Sequence, residues 1–170
     1  QVAGRNARRF VDNFLAHAQA DSLEPIRYDV FAAPSNTGLP SGQDYDRSGD
    51  AVGTFPEPPP ADSITGAPGA QTDAGRAYGN DAFGFGTFPG QYAMAVLVNP
   101  DLQLDREAVR TLQTFRWRDL PGALTPTDST GTPWYDEAAW ENFRLSSNSF
   151  WDVPVTLSNG TVLHVIASHP

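Results

Sequence analysis

The stretch from Ala33 to Gly90 constrains this chain most, because it loses hydrophobic periodicity and fills with Gly, Pro, Ser, Asp and Asn, including Pro56-Glu57-Pro58-Pro59-Pro60. A structureless loop of that length is uncommon inside a compact domain. The sequence therefore predicts a loop-rich insertion over 33–90 that carries its own stabilising device or stays partly disordered. The whole chain is 170 residues, about one domain. Its 15 Asp and 5 Glu against 11 Arg and no Lys give a formal charge of −9. That is the wrong sign for holding nucleic acid by a general cationic surface. With no cysteine, disulfides, thiol catalysis and Cys-based zinc sites are excluded. No apolar run approaches the roughly 18 residues of a membrane span. The chain opens on Gln1 without a signal-peptide pattern, so a processed or truncated N-terminus is expected. An Asp-rich, Lys-free surface fits salty or extracellular surroundings, and a secreted protein is expected; a GC-rich genome, in which Arg codons displace Lys codons, accounts for the composition equally well.

Elements flank the loop-rich stretch. Phe10, Val11, Phe14, Leu15 and Ala18 recur at helical spacing opposite Arg5, Arg8, Arg9, Asp12 and Asn13, which predicts one amphipathic helix over the first twenty residues. Tyr28, Val30 and Ala32 alternate in a strand over 27–32 that Pro34 ends. The apolar run Tyr92–Val98 reads as a strand buried on both faces, and 108–115 as another. Asp136 can cap a short helix bearing Ala139, Trp140 and Phe143 on one face. The clearest hairpin joins Val153, Val155 and Leu157 to Thr161–Ser168 through Asn159-Gly160, which suits a type I′ turn. Pro154 predicts an edge strand or a bulge.

One loop carries a complete half-motif. Asp44, Asp46 and Ser48 place oxygen side chains at positions one, three and five, Gly49 stands at six, and Asp50 at seven can offer a carbonyl. In calcium loops alternate side chains turn inward and the glycine permits the bend. Position twelve is Phe55 instead of Glu, and Glu57 sits two residues late. The oxygen donors favour Ca²⁺, with a solvated Asp/Gly turn as the alternative. The Gly79–Gly90 glycines form no nucleotide loop, since no helix follows and Lys is absent. His17 is expected at the surface, His164 in the core or on a sheet face, and the four tryptophans in core and edge packing.

Several long motifs go further: Gly79–Leu97 (GNDAFGFGTFPGQYAMAVL), Arg116–Leu124 (RWRDLPGAL), Phe143-Arg144-Leu145-Ser146-Ser147, Trp151–Val155 (WDVPV) and Ala167-Ser168-His169-Pro170. From Asn13 onward the chain resembles the secreted bacterial branch of the endonuclease/exonuclease/phosphatase family, the superfamily of deoxyribonuclease I. The resemblance implies an α/β fold, part of a two-sheet α/β sandwich with a long loop insertion, and a metal-dependent phosphoesterase or nuclease-like hydrolase using Mg²⁺ or Mn²⁺ on a phosphate-ester substrate. It implies that His169, at a strand end after a small residue, contacts the scissile phosphate, where an imidazole can donate to a phosphoryl oxygen as charge develops. Asn80 and Asp81 are candidate substrate-binding residues facing the cleft. The family's metal-binding Glu lies upstream of the opening helix, and its Asp-x-Asn motif and terminal Asp-His pair lie downstream of Pro170. Residues 1–170 are therefore expected to be the central portion of one such domain, completed by the remaining segments of the same polypeptide. The chain departs from the family at Val98-Asn99-Pro100, where relatives carry a Ser-Arg-Tyr-Pro-like segment, and at Phe150, where they carry His. The other functional class left open is a calcium-stabilised extracellular binding or structural module without catalysis.

Overall fold

The structure is a computed structural model describing residues 4–169; the first residues of the predicted opening helix and Pro170 of the last motif lie outside the described residues. The fold mixes helices with two antiparallel sheets. The chain divides into two compact units, one of Gln1–Pro34, Met94–Leu112 and Ser149–His169, the other of Ser35–Ala93 and Gln113–Asn148.

The first unit holds the sheets. Helix α1 (Arg5–Phe10) continues into a π-helical turn over Val11–Leu15. The predicted apolar stripe is only partly used, because Phe10, Phe14 and Ala18 stay exposed while Val11 is buried and Leu15 half-buried. Strand β1 (Asp29–Phe31) pairs antiparallel with β2 (Val96–Val98). The run expected as one strand from Tyr92 is thus shorter: Tyr92 has φ 61°, a turn conformation, and the ladder starts four residues later. The second sheet centres on β5 (Ser149–Thr156), with β6 (Val162–His169) on one side and, on the other, β3 (Gln103–Leu104) and β4 (Arg110–Thr111). The strand expected over 108–115 shrinks to the two residues of β4. Phe31, Val98, Trp151, Val153 and Val155 form the core. The Phe31 ring meets Trp151 edge-on at 5.1 Å.

The β5–β6 hairpin is where expected, with Thr156 opposite Val162. Its turn is of another kind. Gly160 has φ 82° while Asn159 keeps a negative φ, and Gly160 N donates to Leu157 O at 2.9 Å. This is a three-residue loop closed by a glycine bulge, and a type I′ turn is excluded because it needs positive φ at both central residues. Pro154 also sits differently, inside the central strand. Its carbonyl accepts from Asp105 N at 3.1 Å. A strand residue's N–H and C=O point to the same side, so the missing donor faces the gap between β3 and β4, where no ladder bond is needed.

The second unit contains most of the stretch expected to lack structure. Helix α2 (Asp73–Asn80) lies within it, opened by Thr72, whose Oγ1 accepts from Gly75 N at 3.0 Å. The Thr-Asp start is a legible capping signal; Gly75 and Gly79 within the helix hide it, as glycine disfavours helices. Helix α3 (Glu137–Asn142) is capped as expected, Asp136 Oδ1 accepting from Ala139 N at 2.7 Å. Tyr45, Tyr135, Trp117, Trp140 and Phe143 form a connected aromatic cluster. Much of the remaining interior is polar. Buried Asn36 donates through Nδ2 to Gln113 O and Ser146 O, both at 2.7 Å. Buried Asn148 accepts from Ser35 Oγ at 2.7 Å and donates to Tyr92 O at 2.7 Å. Such amides substitute for a ladder by satisfying carbonyls that irregular backbone leaves open.

Two stability effects follow. Trp151→Ala is expected to cost about 3–5 kcal/mol, the range for emptying a large aromatic site. Asn36→Ala strands two carbonyls at about 1–3 kcal/mol each. Urea denaturation followed by far-UV circular dichroism reads both, and a loss below about 1 kcal/mol in either variant contradicts its assigned role.

Candidate metal centre

The Asp44–Asp50 loop is shaped by its own carboxylates. Asp44 Oδ1 accepts from Ser48 N at 2.9 Å and its Oδ2 from Gly49 N at 2.8 Å. Asp46 Oδ1 accepts from the same Ser48 amide at 3.0 Å. Gly49, at φ 102°, supplies the bend that a side chain would oppose. Arg47 also has positive φ, and its guanidinium lies 4.4 Å from the centroid of the Trp134 ring. Asp44, Arg47 and Trp134 line an open cleft of about 450 Å³ with Tyr135 and Asp136.

A third carboxylate joins this loop from the end of α2. Asp81 is 1% exposed. Its Oδ1 accepts from Tyr45 N at 2.8 Å and Asp46 N at 3.3 Å, and its Oδ2 from Val52 N at 2.7 Å. One carboxylate oxygen each from Asp44, Asp46 and Asp81 lie within 4.8 Å of one another. The three can together hold a metal ion through hard carboxylate oxygens.

Asn80 belongs to the same place. Its Nδ2 donates to Asp46 Oδ2 at 2.9 Å. That bond, followed by those from Ser48, holds the Asp46 carboxyl below the usual carboxylate range. The structure therefore brings together Asp44, Asp46, Asn80 and Asp81, two expected at a metal and two at substrate. Asp50 lies outside the triad, and the Ser48 hydroxyl donates to Asp50 O at 3.3 Å. Asp81 as a third ligand escaped sequence reasoning because it stands 31 positions beyond Asp50, past α2; its one local signal is the Gly-Asn-Asp ending of that helix.

His169 stands at the end of β6, exposed, in register with Ser149. Among the described residues the Asp44–Asp46–Asp81 triad is the single group of three or more metal-ligating side chains. His164 Nδ1 lies 2.7 Å from Asp152 Oδ1 across the hairpin, a sheet-face pair. Comparison of the chain with protein-family models, curated proteins and solved structures finds no match. No helix of the described residues is long and apolar enough to cross a membrane.

Calcium titration of the chain is expected to give saturable heat that an Asp44→Ala/Asp46→Ala double variant lacks. Because the Asp46 pKa is lowered, its charged form persists below the ordinary carboxylate range, and binding should fade only as pH drops through that depressed value. Asn80→Ala removes the largest cause and should move the fade to higher pH. Equal heats in both proteins, or a pH profile indifferent to Asn80, contradict the assignment.

Proposed function

We propose that this chain is part of a secreted, metal-dependent phosphoesterase with a deoxyribonuclease I-like two-sheet α/β sandwich, in which His169 meets the phosphate of the ester substrate. The observation carrying this reading is the pairing of β5 with β6. It sets Ser149–Trp151 beside Ala167–His169, with Trp151 opposite Ala167 and Ser149 opposite His169, and leaves the imidazole exposed at the strand end. An imidazole so placed can donate a hydrogen bond or proton to a phosphoryl oxygen while negative charge builds there.

A Mg²⁺ or Mn²⁺ ion would polarise the phosphoryl group and generate the nucleophile. The reading assigns the ligands of that ion to the remaining segments of the polypeptide. β6 supports that assignment: among the described residues it pairs with β5 alone, and Val162, Leu163 and Ile166 stay exposed. The Asp44–Asp46–Asp81 triad serves a structural Ca²⁺. That ion would neutralise three adjacent carboxylates and tie the 44–50 loop to the end of α2, in surroundings where extracellular modules bind calcium at about 10⁻⁴–10⁻³ M.

A calcium-stabilised module without catalysis is the second reading, favoured by the same triad, which can hold an ion without any catalytic group. Hydrolysis of a generic phosphodiester by the flank-containing polypeptide with Mg²⁺ or Mn²⁺ separates the two. His169→Ala is expected to lower turnover by about 10²-fold or more with folding intact. Metal-dependent turnover that survives the substitution removes His169 from the site, and an inactive but calcium-binding polypeptide favours the second reading.

A further inference from the structure

A partly buried cation is ordinarily met by a carboxylate, because desolvating the charge is otherwise uncompensated. Arg144 departs from this. Its guanidinium lies over the Phe83 ring, 3.7 Å from the centroid. Its Nη1 donates to the Asn36 side-chain oxygen. Among the described residues no carboxylate comes within ion-pair distance of it, whereas Arg76, Arg106, Arg116 and Arg118 each have one. The remaining donors, at Nε and Nη2, have no protein acceptor among the described residues.

Among the described residues the surroundings add no countercharge. Phe143, the preceding residue, packs edge-on against Tyr45 with centroids 5.0 Å apart. Burial pushes the Tyr45 phenol up to about 12, so it is neutral at pH 7. The head group is also held in place. Asn36 is fully buried, and its two 2.7 Å bonds to Gln113 O and Ser146 O fix the oxygen that receives Arg144. A ring beneath the plane and an amide at one edge orient the guanidinium before any ligand arrives, which lowers the entropy lost on binding.

A planar fork with open donors matches an oxyanion that accepts two parallel hydrogen bonds. At a net charge of −9 the protein's general field repels anions, so capture requires a fixed local cation of this kind. We infer that Arg144 is an oxyanion-binding residue that takes a phosphoryl group through Nε and Nη2. The choice of phosphate among oxyanions rests on the phosphoesterase reading; the site itself rests on the geometry of Asn36, Phe83 and Arg144.

The test is titration of the isotopically labelled chain with inorganic phosphate, with acetate and sulfate at equal ionic strength as parallel arms. The Arg144 Nε–H resonance is followed by NMR and affinity by calorimetry. Phosphate should shift that resonance saturably. Arg144→Gln should abolish the binding, and Arg144→Lys, which keeps the charge but loses the fork, should weaken it by about tenfold. Should the Gln variant fail to fold, the wild-type resonance and the Lys variant still decide. No response of Nε–H to phosphate, equal affinity in the Lys variant, or acetate or sulfate binding as tightly as phosphate each overturns the inference. The phosphoesterase reading fails separately: phosphate binding at Arg144 with hydrolysis indifferent to His169 removes the catalytic role and keeps this site, and the converse removes this site alone.

Discussion

The loop-rich unit depends on the side-chain amide of Asn36. Irregular backbone has no ladder to satisfy its carbonyls, and burial without partners would cost more than the limited apolar surface returns. Asn36 bonds the carbonyls of Gln113 and Ser146, and so joins residues more than seventy positions away into one framework. Asn148 ties in Ser35 by accepting from its hydroxyl and Tyr92 by donating to its carbonyl. Arg144 donates to the same Asn36, whereas the 44–50 loop is held by the Asp81 carboxylate.

The other unit rests on a different principle. Its core is aliphatic and aromatic, with Trp151, Val153 and Val155 of β5 facing Phe31 and Val98. Alternation along a strand is a short-range signal, which is why the β5–β6 hairpin, β1 and the capped helix α3 are legible in the sequence. The misplaced elements share a cause. The stretches at 92–98 and 108–115 carry strand-like residues, but only short segments find a partner, and pairing is a tertiary property. In the first helix two phenylalanines fit the helical period and remain exposed, since periodicity marks a face without identifying what covers it.

The candidate site was legible in half. Asp44, Asp46 and Gly49 advertise a cation loop through local spacing, because their geometry is set by a single turn. Asp81 completes the cluster from beyond α2, and no spacing rule connects it to that loop. Arg144 was legible only as part of a motif. Its distinguishing property is the lack of a neighbouring carboxylate, which depends on everything packed around it.

The position of Pro154 has a consequence for how this sheet tolerates change. β3 and β4 act as two halves of one outer row, and the chain leaves that row between them at Asp105–Val109, opposite the imino nitrogen. The excursion is mostly exposed, and the Asp105 carboxylate closes its turn by accepting from the amides of Glu107 and Ala108. Extra residues inserted there would lengthen the bulging segment without breaking a rung. A slip of β4 along β5 would instead set a carbonyl against the proline ring. The same residue thus leaves the outer row free to grow and fixes where it attaches.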